Sequence, residues 1–527
     1  MSHTMLGRQF LRVLRLGHAA LRQPHLTVDE LIAQRERSSQ RSSQLSRRQF
    51  LQTTAALGAG VLLSACRPIT ALRTQPSIAI VGAGLAGLNA AYQLKKAGYR
   101  ATIYEAANRV GGRILTVQDA FGPGLSTDFG AELIDSGHAD MHALIKEFGL
   151  AVDDLEQPSE QSLHDYFYFD GQSWPEQTVA QELAPIVALL HADADRLDRE
   201  WENASVELDQ LSVAAYLDRL GVSGWIRRLM QQVIVSEFGW ELEAMTALHL
   251  LWLIPIATRD KLSVLGESDE RYHLRGGSQR LTDTLANSLQ AQIQTGKTLE
   301  AIRSRGKGFT LTFQGVDVNA DYVILTLPFS LLRQVQIDVA LPPTLRRFIA
   351  ELGYGHSTKV MAGFRQRLWR EQGWRGLGYS EDRFQNAWDS TQTQPGTTGV
   401  ITYYLGGNEG LTANEGTAQA RAELYTSELD KIIPGLLNEW DGSARRMHWP
   451  SYKWSKGSYA CFHPGQYTQF IQYHVYREEE AEKQTVASGN LLFAGEHLSD
   501  AYQGYMNGAA QTGRLAALTL LDKVAGQ

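Results

Sequence analysis

The sequence predicts an α/β protein whose main domain is a Rossmann-like parallel sheet assembled from separated segments. Three observations carry that expectation: a strand pattern running into a glycine-rich turn at residues 77–87, a second strand ending in an acid at Glu105, and further strand-to-turn runs at 321–328 and 490–496.

Ser77-Ile-Ala-Ile-Val81 has the short apolar pattern of a buried strand. Gly82-Ala-Gly84-Leu-Ala-Gly87 follows, and Leu88 to Ala97 reads as an Ala-rich helix closed by Gly98. The first glycine permits a tight turn, the second lets a pyrophosphate approach the backbone, and the third lets helix pack on strand. The phosphates then sit at the helix N-terminus. Arg100 to Tyr104 forms the next strand, and Glu105, eighteen residues beyond Gly87, is placed to accept from ribose hydroxyls. Strand, glycines, helix, strand and acid in register point to a dinucleotide-binding βαβ unit.

A chain of 527 residues with 43% hydrophobic and 20% charged side chains can build two or three globular domains. Its formal charge is −7, but residues 1–65 hold nine Arg against three acids, so that segment carries +6 and the rest −13. An acidic body repels phosphate backbones, although ordinary solubility gives the same balance; no nucleic-acid partner is expected. Cys66 and Cys461 are the only cysteines, too few for a disulfide framework or a four-cysteine metal site. The fold must rest on its core, and no metal is expected.

From Ser46 the chain runs Ser-Arg-Arg-Gln-Phe-Leu into an apolar stretch from Ala55 to Leu63. This is the pattern of a twin-arginine export signal, its apolar run short of the roughly 20 residues a membrane-spanning helix needs. The 46 residues ahead of the arginine pair are many for such a signal. Leu63-Ser64-Ala65-Cys66 resembles a lipoprotein cleavage box, with Cys66 as the lipid-carrying first residue; a small-residue cleavage site beside an incidental cysteine is the alternative. Residues 1–76 are read as export signal and linker, delivered by the twin-arginine machinery to the periplasm or to a membrane facing it. That route carries folded proteins, which suits a tightly held cofactor.

The continuation of the βαβ unit separates one dinucleotide from another. Glu105-Ala106-Ala-Asn-Arg109-Val-Gly111-Gly112-Arg113 resembles the second phosphate-binding element of the flavin amine oxidases. The resemblance implies FAD, with Arg109 and Arg113 as guanidinium donors, Glu105 and Ala106 at the ribose, and Gly112 bringing backbone to the cofactor. Asp128-Phe-Gly130-Ala131-Glu132 is similar to the family's next strand, which passes near the flavin ring. Tyr272 to Leu281, with Gly276 and Gly277, resembles its returning glycine pair, and Leu299 falls where the family places a backbone contact to adenine. Asp321 to Pro328 is similar to the strand closing that segment. Asn490 to Glu496 resembles a strand ending in a ribityl-binding turn at Gly495 and Glu496, and Gly504-Tyr505-Met506-Asn507-Gly508 opens the last helix toward the flavin pyrimidine. The resemblance spans nearly all of residues 77 to 527.

The same resemblance supplies a reaction. Gly353 to Met361 is similar to the family's strand with an active-site lysine, here Lys359, which holds a water against the flavin. The segment from Trp449 to Tyr459 resembles the one that carries, in mammalian monoamine oxidases, a cysteine bonded to flavin; Trp449 is expected against the cofactor and Ser458 stands at the cysteine's position. A hydroxyl cannot form that thioether, so FAD is expected to be noncovalent. Cys461 reads as a buried small hydrophobe. The two aromatic positions that flank the amine fall on Tyr459 and Tyr505. The four tryptophans Trp201, Trp225, Trp240 and Trp252 read as packing.

The implied function is oxidative deamination of a primary or secondary amine with dioxygen, giving an imine that hydrolyses to a carbonyl compound and ammonia, with hydrogen peroxide as by-product. Venom L-amino acid oxidases carry a carboxylate-binding arginine where this chain has Leu133, which argues against that subtype, yet Arg275 or Arg375 could serve from elsewhere. Glu132 and Asp135 are candidate contacts for a cationic substrate, with solvated surface as the alternative. An L-amino acid oxidase and a non-catalytic flavin-bearing or redox-sensing protein remain the competing readings. The expected FAD-binding domain comprises 77–140, 266–332 and 483–527. A helical part at 141–265 and a mixed-sheet part at 333–482 form the substrate domain.

Overall fold

The computed structural model describes residues 75–258, 261–475 and 485–526. The arginine pair, the apolar run behind it and Cys66 lie outside these residues. Among the described residues, no helix is long and apolar enough to cross a membrane.

A six-stranded sheet is built from five distant stretches of chain, in the order 293–294, 101–104, 78–81, 322–325, 491–493 and 486–488. All neighbours pair parallel except the last. The strand Ile78–Val81 is buried at every residue because helices cover both faces, which is why its sequence is continuously apolar rather than alternating. The helix Leu85–Lys96 begins three residues earlier than the sequence suggests, directly after Gly84 as its N-cap. Gly87 therefore lies in its first turn. Gly98, in the left-handed region, closes the helix while the Gly98 and Tyr99 N–H groups return to the Lys95 and Leu94 carbonyls.

That helix packs against Met506–Ala525 through small residues. A Cβ on Gly513 would stand 2.2 Å from the Ala86 carbonyl oxygen, so the two backbones touch. Buried Asn89 donates across the contact to the Ala510 carbonyl at 2.7 Å. Leu85, Leu88 and Leu94 fill the layer between helix and sheet, each burial contributing about 1.5–3 kcal/mol.

The second large sheet has seven strands, in the order 440–448, 358–364, 399–405, 386–389, 374–380, 164–169 and 172–173. The last two strands, 164–169 and 172–173 at one edge, come from the stretch that reads as helical in the sequence, which otherwise supplies Glu176–Arg199, Trp201–Asp209, Val213–Arg219 and Gly224–Phe238. The strand Thr358–Phe364 is buried on both faces. Val360, Ala362 and Phe364 join Tyr425 and Leu429 of the helix Ala418–Leu429 in one core, while Met361 packs on the other side with Met447 and Trp449. Alternation along the strand sends Lys359 to the same side as Met361. Its register partner in the next strand is Tyr404. A four-stranded sheet, 316–320, 308–313, 299–305 and 336–338, begins one strand at Leu299.

Candidate active site

Between the two large sheets lies a cavity of about 660 Å³. The residues expected at the cofactor, the lysine, the tyrosine pair and the two acids Glu132 and Asp135 all line it except Gly87, whereas Gly276 and Gly277 of the returning glycine pair do not. The role of Gly87 is steric: a Cβ there would stand 2.1 Å from the Gly82 carbonyl oxygen.

At one wall the glycine turn presents bare backbone. Gly82 has φ +106°, and a Cβ there would meet the Thr326 hydroxyl at 2.4 Å. A Cβ on Gly84 would touch nothing within 4 Å, and the helix it caps has no side-chain cap. The first N–H groups of Leu85–Lys96 thus face open space, as an anion site requires. Gly112, at φ +59°, brings its backbone alongside Gly84. These features fit a dinucleotide pyrophosphate.

Glu105 stands at the end of its strand as expected, and its carboxylate also braces the loop, accepting from Ala83 N at 2.7 Å and Ala107 N at 2.8 Å. Burial raises its pKa. A carboxylate offers about four acceptor sites, so two remain for ribose hydroxyls. Arg109 is used differently from the expectation. Its guanidinium donates to the Val110, Ile114 and Gly112 carbonyls and to the Tyr452 hydroxyl, at 2.6–3.2 Å, and so clamps the loop that carries Gly111 and Gly112. Arg113 pairs with Glu496 at 2.6 Å and donates to the Ser458 carbonyl at 2.7 Å, joining three distant motifs at one point. Ser458 itself is buried, its hydroxyl 2.9 Å from that of Ser357.

The opposite wall carries Lys359, Tyr459 and Tyr505. Lys359 is 5% exposed. Its ammonium donates to the Asp128 and Gly130 carbonyls, each at 2.9 Å, and to Glu132 Oε2 at 2.7 Å. It lies 5.0 Å from the Trp388 ring centroid, and Trp388 Nε1 donates to the other oxygen of Glu132 at 3.2 Å. Tyr459 donates to the backbone carbonyl of Glu237, and its hydroxyl lies 3.0 Å from that of Tyr404. The Tyr505 hydroxyl lies 3.3 Å from both Glu237 Oε1 and Ser268 Oγ. Burial pushes both phenols well above their ordinary pKa, so they stay protonated.

Asp135 is no solvated loop acid. Its carboxylate accepts from Ser268 at 2.9 Å and from Glu270 N at 3.0 Å, with His138 Nε2 at 3.3 Å. Burial raises Asp135 to about 6 and lowers His138 to about 3, so the imidazole is neutral. Glu237 and Glu270, which no sequence motif marks, also line the cavity. Burial raises Glu237 to about 7, with Asp135 adding to the rise. Burial also pushes Glu270 well up, assisted by Glu237 and Asp135. Glu270 is held at φ +42°, a conformation that costs a glutamate energy and that its N–H bond to Asp135 fixes.

The two arginines considered for a substrate carboxylate lie elsewhere. Arg275 is largely exposed and pairs with Asp153, and Arg375 pairs with Asp165; neither lines the cavity. The arginines that do line it, Arg109 and Arg113, are committed to the contacts above. Leu133 contributes only apolar surface.

Comparisons with known proteins agree with this geometry. Residues 85–521 match the family model for flavin-containing amine oxidoreductase, and residues 44–64 match that for a twin-arginine translocation signal. The chain is 24% identical over 472 residues to an L-amino acid dehydrogenase of Synechocystis sp., covering 84% of this chain and 94% of that protein. It is 25% identical over 468 residues to a flavin-containing amine oxidase of Oncorhynchus mykiss, covering 84% of each. Among solved structures, cyclohexylamine oxidase from Brevibacterium oxydans superposes with a TM-score of 0.74 at 21% identity, covering 86% of this chain and all (100%) of that one. Putrescine oxidase bound to putrescine gives 0.71 at 20% identity, covering 86% and 99%. With the family model matched over most of its length, the chain belongs to the flavin-containing amine oxidoreductases.

Proposed function

We propose that the protein holds FAD noncovalently and oxidises a primary or secondary amine with dioxygen, yielding an imine, then an aldehyde or ketone and ammonia or a smaller amine, and hydrogen peroxide. The observation that supports this most directly is that a pyrophosphate-type glycine turn, a buried lysine and two tied tyrosines line one cavity.

In this reading the Gly82–Gly84 turn and the N-terminus of Leu85–Lys96 hold the pyrophosphate, Glu105 the ribose, and Gly495, Glu496 and Met506 the flavin end. When bound, FAD accepts a hydride equivalent from the carbon bearing the amine and passes two electrons to dioxygen. The protein's own residues do the rest. Tyr459 and Tyr505 keep their rings fixed because both hydroxyls are anchored on Glu237, and the rings flank the amine and exclude water from the reacting carbon. Lys359, fixed by three acceptors, sets a positive charge and the 128–132 backbone beside the flavin position.

An amino acid substrate is the weaker reading, because among the described residues a carboxylate would find no free guanidinium in the cavity and would face Asp135, Glu237 and Glu270. We also read Cys66 as lipid-bearing, which retention of radiolabelled palmitate by the exported protein, and its loss in Cys66→Ala, tests. A peroxide-coupled screen across monoamines, diamines and L-amino acids tests the main proposal. Peroxide with amines supports it, and peroxide with amino acids alone overturns it in favour of the second reading.

A further inference from the structure

We infer that the preferred substrate is a dication, whose reacting nitrogen lies between Tyr459 and Tyr505 and whose second ammonium is held by Glu237 and Glu270. This rests on the amine oxidase reading above and names the substrate class of the same cavity.

The reasoning begins with charge. Four carboxyl groups, Glu132, Asp135, Glu237 and Glu270, line this part of the cavity, and Lys359 neutralises Glu132 at 2.7 Å. Among the described residues the other three have no ion-pair partner of their own: the His138 imidazole beside Asp135 is neutral, and Lys359, already paired with Glu132, only partly offsets Glu270. Their hydrogen bonding is unequal. Both oxygens of Asp135 already accept from Ser268 and from Glu270 N. Among the described residues the Glu237 carboxyl accepts only from Tyr505, at a long 3.3 Å. The carboxylate of Glu270 faces the cavity with no hydrogen-bond or ion-pair partner among the described residues. Acceptor capacity is thus left over at Glu237 and Glu270, inside a cavity where carboxyl oxygens left unpaired become costly once a bound substrate displaces water.

The position is as informative as the charge. One continuous hydrogen-bonded path runs from Glu237 through Tyr505 and Ser268 to Asp135 and on to the backbone of Glu270. The acceptors therefore adjoin the tyrosines rather than sit at a remote mouth. A monoamine would place its apolar tail against these carboxyls. A second ammonium would instead satisfy them and, by its charge, draw their protons off.

The test compares kcat/KM for unbranched diamines of about three to five methylenes with monoamines of equal length, in the FAD-loaded wild-type protein and in Glu270→Gln and Glu270→Asp. The wild type is expected to favour the diamine by about tenfold or more, and Glu270→Gln to remove most of that ratio through KM, with Glu270→Asp retaining part of it. A wild type that oxidises both classes equally overturns the inference while leaving amine oxidation intact. So does a folded Glu270→Gln that keeps the full diamine preference. If no amine reduces the flavin at all, the amine oxidase reading itself fails. The wild-type ratio decides even where a variant does not fold.

Discussion

Glu237 Oε1 lies 3.3 Å from the hydroxyl of Tyr505, and that carboxyl is raised to about 7, chiefly by burial. An unfolded glutamate titrates at roughly 4. Between these values the folded protein holds a proton that the unfolded chain has lost, so stability declines as pH rises from about 4 to about 7. Asp135, raised to about 6, acts in the same direction. The melting temperature is expected to fall across this window in the absence of amine, and to fall less steeply in Glu237→Gln. An unchanged slope in the variant contradicts the assignment.

Lys359 and Glu132 form a buried pair at 2.7 Å. Replacing Lys359 with Met leaves Glu132 without its cation, an effect of about 3–5 kcal/mol on stability where a buried pair is broken. In the proposed reading it also removes a positive charge from beside the flavin. Reoxidation of the reduced protein by dioxygen is expected to slow by about tenfold or more, measured by rapid mixing. Unchanged rates in both half-reactions would remove Lys359 from the site.

The glycines of the turn separate folding from binding. Gly84 has an ordinary φ of −73° and free space around its missing Cβ, so Gly84→Ala is expected to fold normally but to bind FAD about tenfold more weakly or worse. Gly87→Ala puts a methyl 2.1 Å from the Gly82 carbonyl oxygen and is expected to lower stability by about 1–3 kcal/mol. Equal flavin occupancy in Gly84→Ala and wild type sinks the pyrophosphate assignment.

Ser458 is buried against Ser357, its hydroxyl 2.9 Å away. With no thiol at this position, acid precipitation is expected to release all flavin into the supernatant. Yellow colour retained in the pellet refutes noncovalent binding.

The cofactor half of the molecule was legible in the sequence because its information is local. The segment from Gly82 to Arg113 writes turn, helix, strand and loop in one run, and Gly82, Gly84, Glu105, Ala106, Arg109, Gly112 and Arg113 of it line the cavity while Gly87 does not. Arg109 shows the limit of that legibility: its residue type suits phosphate, but its contacts hold carbonyls of its own loop. The acidic wall was not legible. Glu237 comes from the last turn of Gly224–Phe238 and Glu270 from a loop, and only long-range folding brings them to Tyr505. One signal existed. Met230, Val233 and Ile234 form a buried stripe, and Glu237 continues it at helical spacing, so a carboxyl sat where an apolar residue belonged. Glu270 lies in Glu267-Ser-Asp-Glu270, which reads as solvated loop.

Anaerobic titration of the purified yellow protein with amines tests the central claim most directly. Full bleaching of the flavin absorbance by an amine without a carboxylate, with colour restored and peroxide formed on admitting air, is the result expected. Flavin that stays oxidised with every amine, or that is reduced by amino acids alone, contradicts the account.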